Sequence, residues 1–248
     1  MNLGQANREV CNVSIRDFKT GEPYMYYEYA NTTGLNVSSD SVYAMAHGAR
    51  KIAFSNPLEG EVTITAQVLP FKMYALYSDG IIDTSATYFV HKTITAAAAG
   101  ALTLGVTGGT VVAGTVFAYP KGEYGNAASA IKGTFADGTF TATTASEIAK
   151  DSEYEVGFML SKENGVQKVT LNNKRLPKDV TIEMDTFMKD EEGNFVPFHV
   201  IVHKASLGRT LDVSFSSEGD PQEVTLTFTA LEKDRDHFVD LIEITEDE

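Results

Sequence analysis

Phe198-His-Val-Ile-Val-His203, Thr210-Leu-Asp-Val-Ser-Phe215 and Val224-Thr-Leu-Thr-Phe-Thr-Ala230 are the three segments whose reading decides the fold. In the last, Val224, Leu226, Phe228 and Ala230 share one parity and Thr225, Thr227 and Thr229 the other. In the middle one, Leu211, Val213 and Phe215 alternate with Asp212 and Ser214. Alternation at period two puts the apolar set on one face of a sheet and the hydroxyls on the opposite face. Ser217-Glu-Gly-Asp-Pro221 supplies turn residues between the second and third segments: Gly accepts positive φ and Pro cannot donate into a ladder. Three such strands make an antiparallel meander with one wet face, a scaffold rather than a catalytic motif.

The rest of the chain extends this pattern. Val10 to Arg16 and Tyr24 to Tyr29 read as an opening strand pair, and Glu61 to Val68 as a further strand with Val62, Ile64, Ala66 and Val68 inward. Pro70 then opens the one helix expected, Pro70 to Ser78, closed by Gly80 and striped by Leu69, Met73 and Leu76. Asn31 to Arg50 is polar and shows no strand or helix period; a loop of that length inside a compact domain is expected to be either functional or disordered until a partner arrives. From Thr84 to Pro177 Gly, Ala and Thr rise and the elements shorten, with strands expected at Tyr88–Thr95, Thr110–Tyr119, Gly133–Thr143, Tyr154–Leu160 and Val166–Leu171. Asp137-Gly138 is the tightest hairpin signal there, and Thr144 heads a short helical turn. After Pro177 the pattern of residues 1–84 resumes in Val180-Thr-Ile-Glu-Met184. The chain closes on Glu232 to Glu248, a charged tail attached through Phe238, Leu241 and Ile244. The expected organisation is a β-sandwich of residues 1–84 and 176–248 carrying an inserted small β domain at residues 85–175.

Composition narrows the function. A chain of 248 residues, 43% apolar, can bury an ordinary core, and its net charge of -14 disfavours gripping nucleic acid or an anionic membrane. The single cysteine, Cys11, allows no internal disulfide and fits a reducing compartment; its parity with Val13 and Ile15 marks it as a core residue. The N-terminal residues carry no basic-then-apolar signal pattern, so the sequons at Asn12, Asn31 and Asn36 are not expected to be used. His199 and His203 share a strand face, with His91 a third candidate, but no ligand set for zinc completes around them. The glycines from Gly105 to Gly114 lack the Gly-Lys-Ser/Thr ending of a phosphate loop. Asp190-Glu191-Glu192 lacks the alternating ligands of a calcium loop, and no serine stands in a Gly-x-Ser-x-Gly elbow. An acid pair for glycoside hydrolysis stays open, because its separation is spatial. No cofactor is expected.

The order of elements resembles that of bacteriophage tail tube (major tail) proteins. The resemblance rests on the opening strand pair, the long polar stretch, the passage Glu59-Gly-Glu-Val-Thr-Ile-Thr-Ala-Gln-Val-Leu-Pro-Phe-Lys-Met-Tyr-Ala-Leu-Tyr-Ser78, and the ending Leu211 to Leu231. The inserted segment resembles the immunoglobulin-like modules of phage tail proteins. The resemblance implies a β-sandwich with one flanking helix, assembled as hexameric rings that stack into a tube conducting DNA without binding it specifically. It implies partners among its own copies and the terminator, baseplate or tip, and tape measure proteins, assembly in the host cytoplasm, and no membrane. The long loop after the second strand commonly bridges rings in that family; here it holds Asn31, Thr32, Gly34, Asn36, Ser38, Asp40, Tyr43, His47 and Arg50. Acids on polar strand faces are the candidates for a lumen lining: Glu61, Glu183, Asp185, Asp212 and Glu223. A carbohydrate-binding or adhesin-type β-sandwich is the alternative reading.

Overall fold

The computed structural model describes residues 4–244 and divides the chain into two compact units: residues 1–81 with 170–248, and residues 82–169. In chain order the first unit contributes β1 (Gln5–Ala6), β2 (Asn12–Asp17), β3 (Pro23–Tyr27), β4 (Thr32–Ser38), β5 (Ser41–Ala46), β6 (Ala49–Ser55), β7 (Glu59–Ala66) and α1 (Lys72–Ala75). The second unit holds β8 (Ala86–Thr95), β9 (Ala101–Thr103), β10 (Thr110–Val111), β11 (Phe117–Pro120), β12 (Gly133–Ala136), β13 (Thr139–Ala142) and β14 (Glu153–Lys162). The first unit resumes with β15 (Val180–Asp190), β16 (Phe195–Leu207), β17 (Val224–Ala230) and β18 (Val239–Glu243). The protein is mainly β, and every ladder between these strands is antiparallel.

In the first unit one sheet runs in the order β3-β2-β15-β16-β17-β7-β4, with β18 along β16 and β1 along β15. The sheet folds over its own apolar face. Val13 and Ile15 of β2, Ile182 and Met184 of β15, Ile64 of β7 and Leu226 and Phe228 of β17 all meet in one core. The two ends of the strand order approach each other: the Cys11 backbone N–H donates to Thr33 Oγ1 at 3.1 Å, and Tyr27 Oη donates to the Val68 carbonyl. The alternation read in Val224–Ala230 is realised residue by residue, its apolar members buried and its threonines on the outer face.

The helix is one turn long, shorter than Pro70 to Ser78. The bonds Met73 N–Pro70 O, Tyr74 N–Phe71 O and Ser78 N–Ala75 O span three residues, so the segment tightens and α geometry holds only over Lys72–Ala75. Its inward stripe is as expected, with Met73 and Leu76 buried, and Gly80 at φ 81 closes it by donating to the Ala75 carbonyl at 3.0 Å. Thr210–Phe215 is irregular rather than a strand. Pairing with β17 ends at the Gly208 N–Thr227 O bond, and without a ladder partner the alternation has nothing to register against. The charged C-terminal segment is more than an attached tail, for it contains β18, which pairs with β16 from Val202↔Val239 to Phe198↔Glu243.

The second unit has its own core of Leu102, Phe140, Ile148, Val156 and Phe158, between a β8-β14-β10/β11 sheet and a β9-β13-β12 sheet. The Asp137-Gly138 hairpin forms with both turn residues at positive φ and Ala136 paired to Thr139. Thr110–Tyr119 breaks into two short strands, and Val166–Leu171 forms no strand beyond the Asp83–Lys168 bridge.

Candidate functional site

The outer face of β4, β7 and β17 is set by three registers. Thr65 lies between Thr32 and Thr225, Thr63 between Gly34 and Thr227, and Glu61 between Asn36 and Thr229, with Ser38 beside Glu59 at the end. The inward residues of these strands are apolar or Gly except Thr33 of β4, so period-two pleating turns the other hydroxyls, the amide and the acids outward. Thr65 and Thr225 bond hydroxyl to hydroxyl at 3.2 Å across the ladder. The face carries Glu59 and Glu61 and no Lys or Arg. Asp212 and Glu223 line a groove with Thr225 and Thr227 at its far end. Burial of the Tyr77 hydroxyl with Asp212 close by pushes its pKa up to about 12, and that hydroxyl donates to the Thr225 carbonyl at 3.2 Å.

Glu183 and Asp185 stand elsewhere, on the outer face of β2, β15 and β16. Glu183 sits between Ser14 and Ile201, and Asp185 between Asn12 and His199. Both are engaged: Glu183 pairs with Arg16, and Asn12 Nδ2 donates to Asp185 Oδ2 at 3.1 Å. The five acids therefore fall into two groups: Glu61 on β7 with Asp212 and Glu223 beside the start of β17, and Glu183 and Asp185 on β15. Among the described residues, no ion pair involves Glu61, Asp212 or Glu223.

The segment Asn31 to Arg50 is not structureless. The Asn31 N–H donates to Thr65 O at 2.7 Å; Thr32, Gly34, Asn36 and Ser38 belong to β4; Asp40 links to β5; Tyr43 is on β5, His47 in the turn and Arg50 on β6. β5 and β6 form a hairpin of their own, exposed at every position and paired with no other strand. His47 and Gly48 both take positive φ, the two-residue turn whose twist suits a hairpin. Val42 faces Phe54 and Ala44 faces Ile52 on one side; Tyr43 and Met45 are on the other, with the Arg50 guanidinium 4.3 Å from the Tyr43 ring centroid. At the base, Asn56 N donates to Asp40 O at 2.8 Å, which makes the hairpin a continuation of the β4–β7 pair. It is an arm, and the only signal for it in the sequence is a Gly turn flanked by β-forming residues.

His199 and His203 share a strand face as expected, and His203 Nε2 lies 2.7 Å from Asp240 of β18. Among the described residues no group of three or more His, Cys, Asp or Glu side chains converges as a metal site. His91 belongs to an aromatic cluster of the second unit. It lies 4.5 Å centroid to centroid from Tyr124, which is 5.0 Å from Tyr119, and Phe89 and Tyr124 converge over Gly157 where a Cβ would stand. Among the described residues no helix is long and apolar enough to cross a membrane.

The most distinctive surfaces of this β scaffold are a cation-free polar face and an exposed arm. The model of the YomU/Tube protein family matches residues 7–244, nearly the whole chain, and the protein belongs to that family. Membership agrees with the resemblance to phage tail tube structural proteins. No curated protein matches the chain.

Proposed function

We propose that copies of this chain assemble as stacked hexameric rings into a phage tail tube, with the outer face of β4, β7 and β17 lining the bore. The observation that carries the reading is the pairing of that face with the arm. The face is hydroxyl-rich and acidic, so it offers phosphate no cation to bind. The arm continues the same strands beyond the body of the unit, where it can reach a neighbouring ring. β4 ends the strand order, and its edge beyond Thr33 is the one assigned to a neighbouring copy within a ring. Of the five candidate acids, Glu61 is assigned to the lining together with Glu59, and Asp212 and Glu223 to its end; the engaged pair Glu183 and Asp185 lies outside it. The immunoglobulin-like reading of the inserted unit, the tail partners and passage of DNA without specific binding belong to the same proposal. The test is Glu59→Lys with Glu61→Lys in assembled particles. Tubes should form at normal length while genome delivery slows, an effect that weakens as salt rises. Normal tubes with undiminished delivery at low salt would remove this face from the bore.

A second reading, carbohydrate binding, draws on the Phe89, His91, Tyr119 and Tyr124 cluster, because exposed rings stack on sugar faces. Titration of the protein with bacterial-surface polysaccharide, against a Tyr124→Ala variant, tests it; identical absence of binding in both discards it.

A further inference from the structure

We propose that the arm of one copy docks on the opposite end of the same strands in the next copy, where the segment from Gly208 to Glu223 is its acceptor; the proposal rests on the tube reading above. Between Ser41 and Ser55 the chain carries Arg50 and Lys51 and no acid, in a protein whose net charge is -14. The arm also presents Val42, Ile52 and Phe54, each more than half exposed, on one side. A two-stranded hairpin is marginal alone in water, so such a stripe calls for a covering surface.

The acceptor is placed by register. The arm leaves at Ser38 and returns at Glu59, which pair with each other. At the other end of these strands Thr32 pairs with Thr65, and Ala66 pairs with Val224, the residue after Glu223. At a strand rise of about 3.3 Å per residue the two ends are roughly 20 Å apart. The far end has the complementary character. Asp212, Glu218, Asp220 and Glu223 stand against Arg209 alone, and Arg209 is turned to the Asn172 carbonyl at 2.9 Å. Phe215 there is 91% exposed, with Val213, Val68 and Tyr29 also uncovered. Asp212 and Glu223 share one groove.

A cationic, apolar arm at one end and an acidic, apolar surface at the other make a heterologous contact, which repeats without closing and so builds a filament of rings. The acceptor takes the arm by both sides: Arg50, on the Tyr43 side, meets Asp212 and Glu223 with Lys51 next to it, while Ile52 and Phe54 on the opposite side cover Phe215 and Val68. Charge complementarity fixes the polarity of stacking, since two arms or two acidic ends repel.

Charge exchange tests it. Arg50→Glu/Lys51→Glu and Asp212→Lys/Glu223→Lys are made separately, checked for unchanged circular dichroism melts, and followed by electron microscopy and sedimentation. Each variant alone should stop at rings, with tube yield down at least roughly tenfold, because like charges now face each other. A mixture of the two variants should grow tubes, because each ring offers its neighbour the charge the other lacks. Growth of the second variant at the wild-type level, or a mixture that stays as rings, overturns the acceptor while the tube reading stands. Wild-type protein that forms neither rings nor tubes overturns the tube reading itself. An Arg50→Cys/Asp212→Cys variant on a Cys11→Ser background supplies an independent measure. Oxidised tubes should give a ladder of linked chains, and tubes that give only monomers contradict the contact.

Discussion

Replacing Val42, Ile52 and Phe54 together with threonine should abolish tube growth and leave the subunit folded. Threonine keeps the β preference and the branching that suit a strand, so the arm retains its pairing. The three side chains are 60%, 57% and 59% exposed, so each has more than half its apolar surface still to bury. Full burial of such a side chain stabilises by about 1.5–3 kcal/mol, so the unrealised share is about 1–2 kcal/mol apiece and about 3–5 kcal/mol for the arm. That is a factor of at least about a hundred in each arm's contact, and every copy of a ring contributes one arm. Folding has no such stake, because none of the three belongs to either core. The thermal midpoint should move by no more than exposed substitutions usually cause, about 0.5 kcal/mol. Sedimentation and negative-stain microscopy read assembly, and circular dichroism reads the fold. Tubes of wild-type length from the triple-threonine protein would refute the reasoning, and a collapsed melt would place the arm in the subunit's stability instead.

Two further outcomes follow from the fold. Excising residues 82–169 and bridging Ile81 to Thr170 with a short Gly/Ser link should leave a first unit that folds and still assembles, since its core draws on no residue of the excised segment; loss of the β circular dichroism signal would sink this. Tyr24 and Tyr77 are both raised to about 12 by burial. Because their folded pKa values lie above the unfolded 10, the stability they confer is complete below pH 10 and is lost between pH 10 and 12. Tyr77→Phe should flatten that alkaline decline in urea midpoints, and an unchanged slope contradicts it.

What could be read in the sequence depended on whether burial had left a two-residue period. Val224–Ala230 and Glu61–Ala66 were legible because one face is fully buried and the other carries Thr and Glu. The arm was not, because with neither face covered nothing selects against apolar residues on both, and Val42, Tyr43, Ala44 and Met45 erase the alternation. β4 was obscured by Gly34 and Asn36 among its threonines, a strand specified by its neighbour β7 more than by its own composition. Thr210–Phe215 shows the converse: its alternation is clean, yet a strand also needs an unfilled ladder. For the acids, parity alone cannot say on which run of strands an outward acid stands; Asp212 lies in a segment that forms no strand, while Glu183 and Asp185 face outward on β15 as parity predicts. Their partners Arg16 and Asn12 are more than 160 residues distant in sequence, beyond the reach of any local pattern.

The split first unit also has a consequence for biosynthesis. β2 pairs at once with β3 but finds its second partner only in β15, and β7 finds one of its two only in β17. β7 is complete at Ala66, whereas β17 ends at Ala230. At about 5–20 residues per second the ribosome needs on the order of ten seconds to join them. During that interval the second unit can fold, but the sheet that carries the acidic end does not yet exist. A nascent chain thus displays an arm without an acceptor. It cannot begin a filament with its neighbours on a polysome until it is nearly released, which delays polymerisation to the finished molecule.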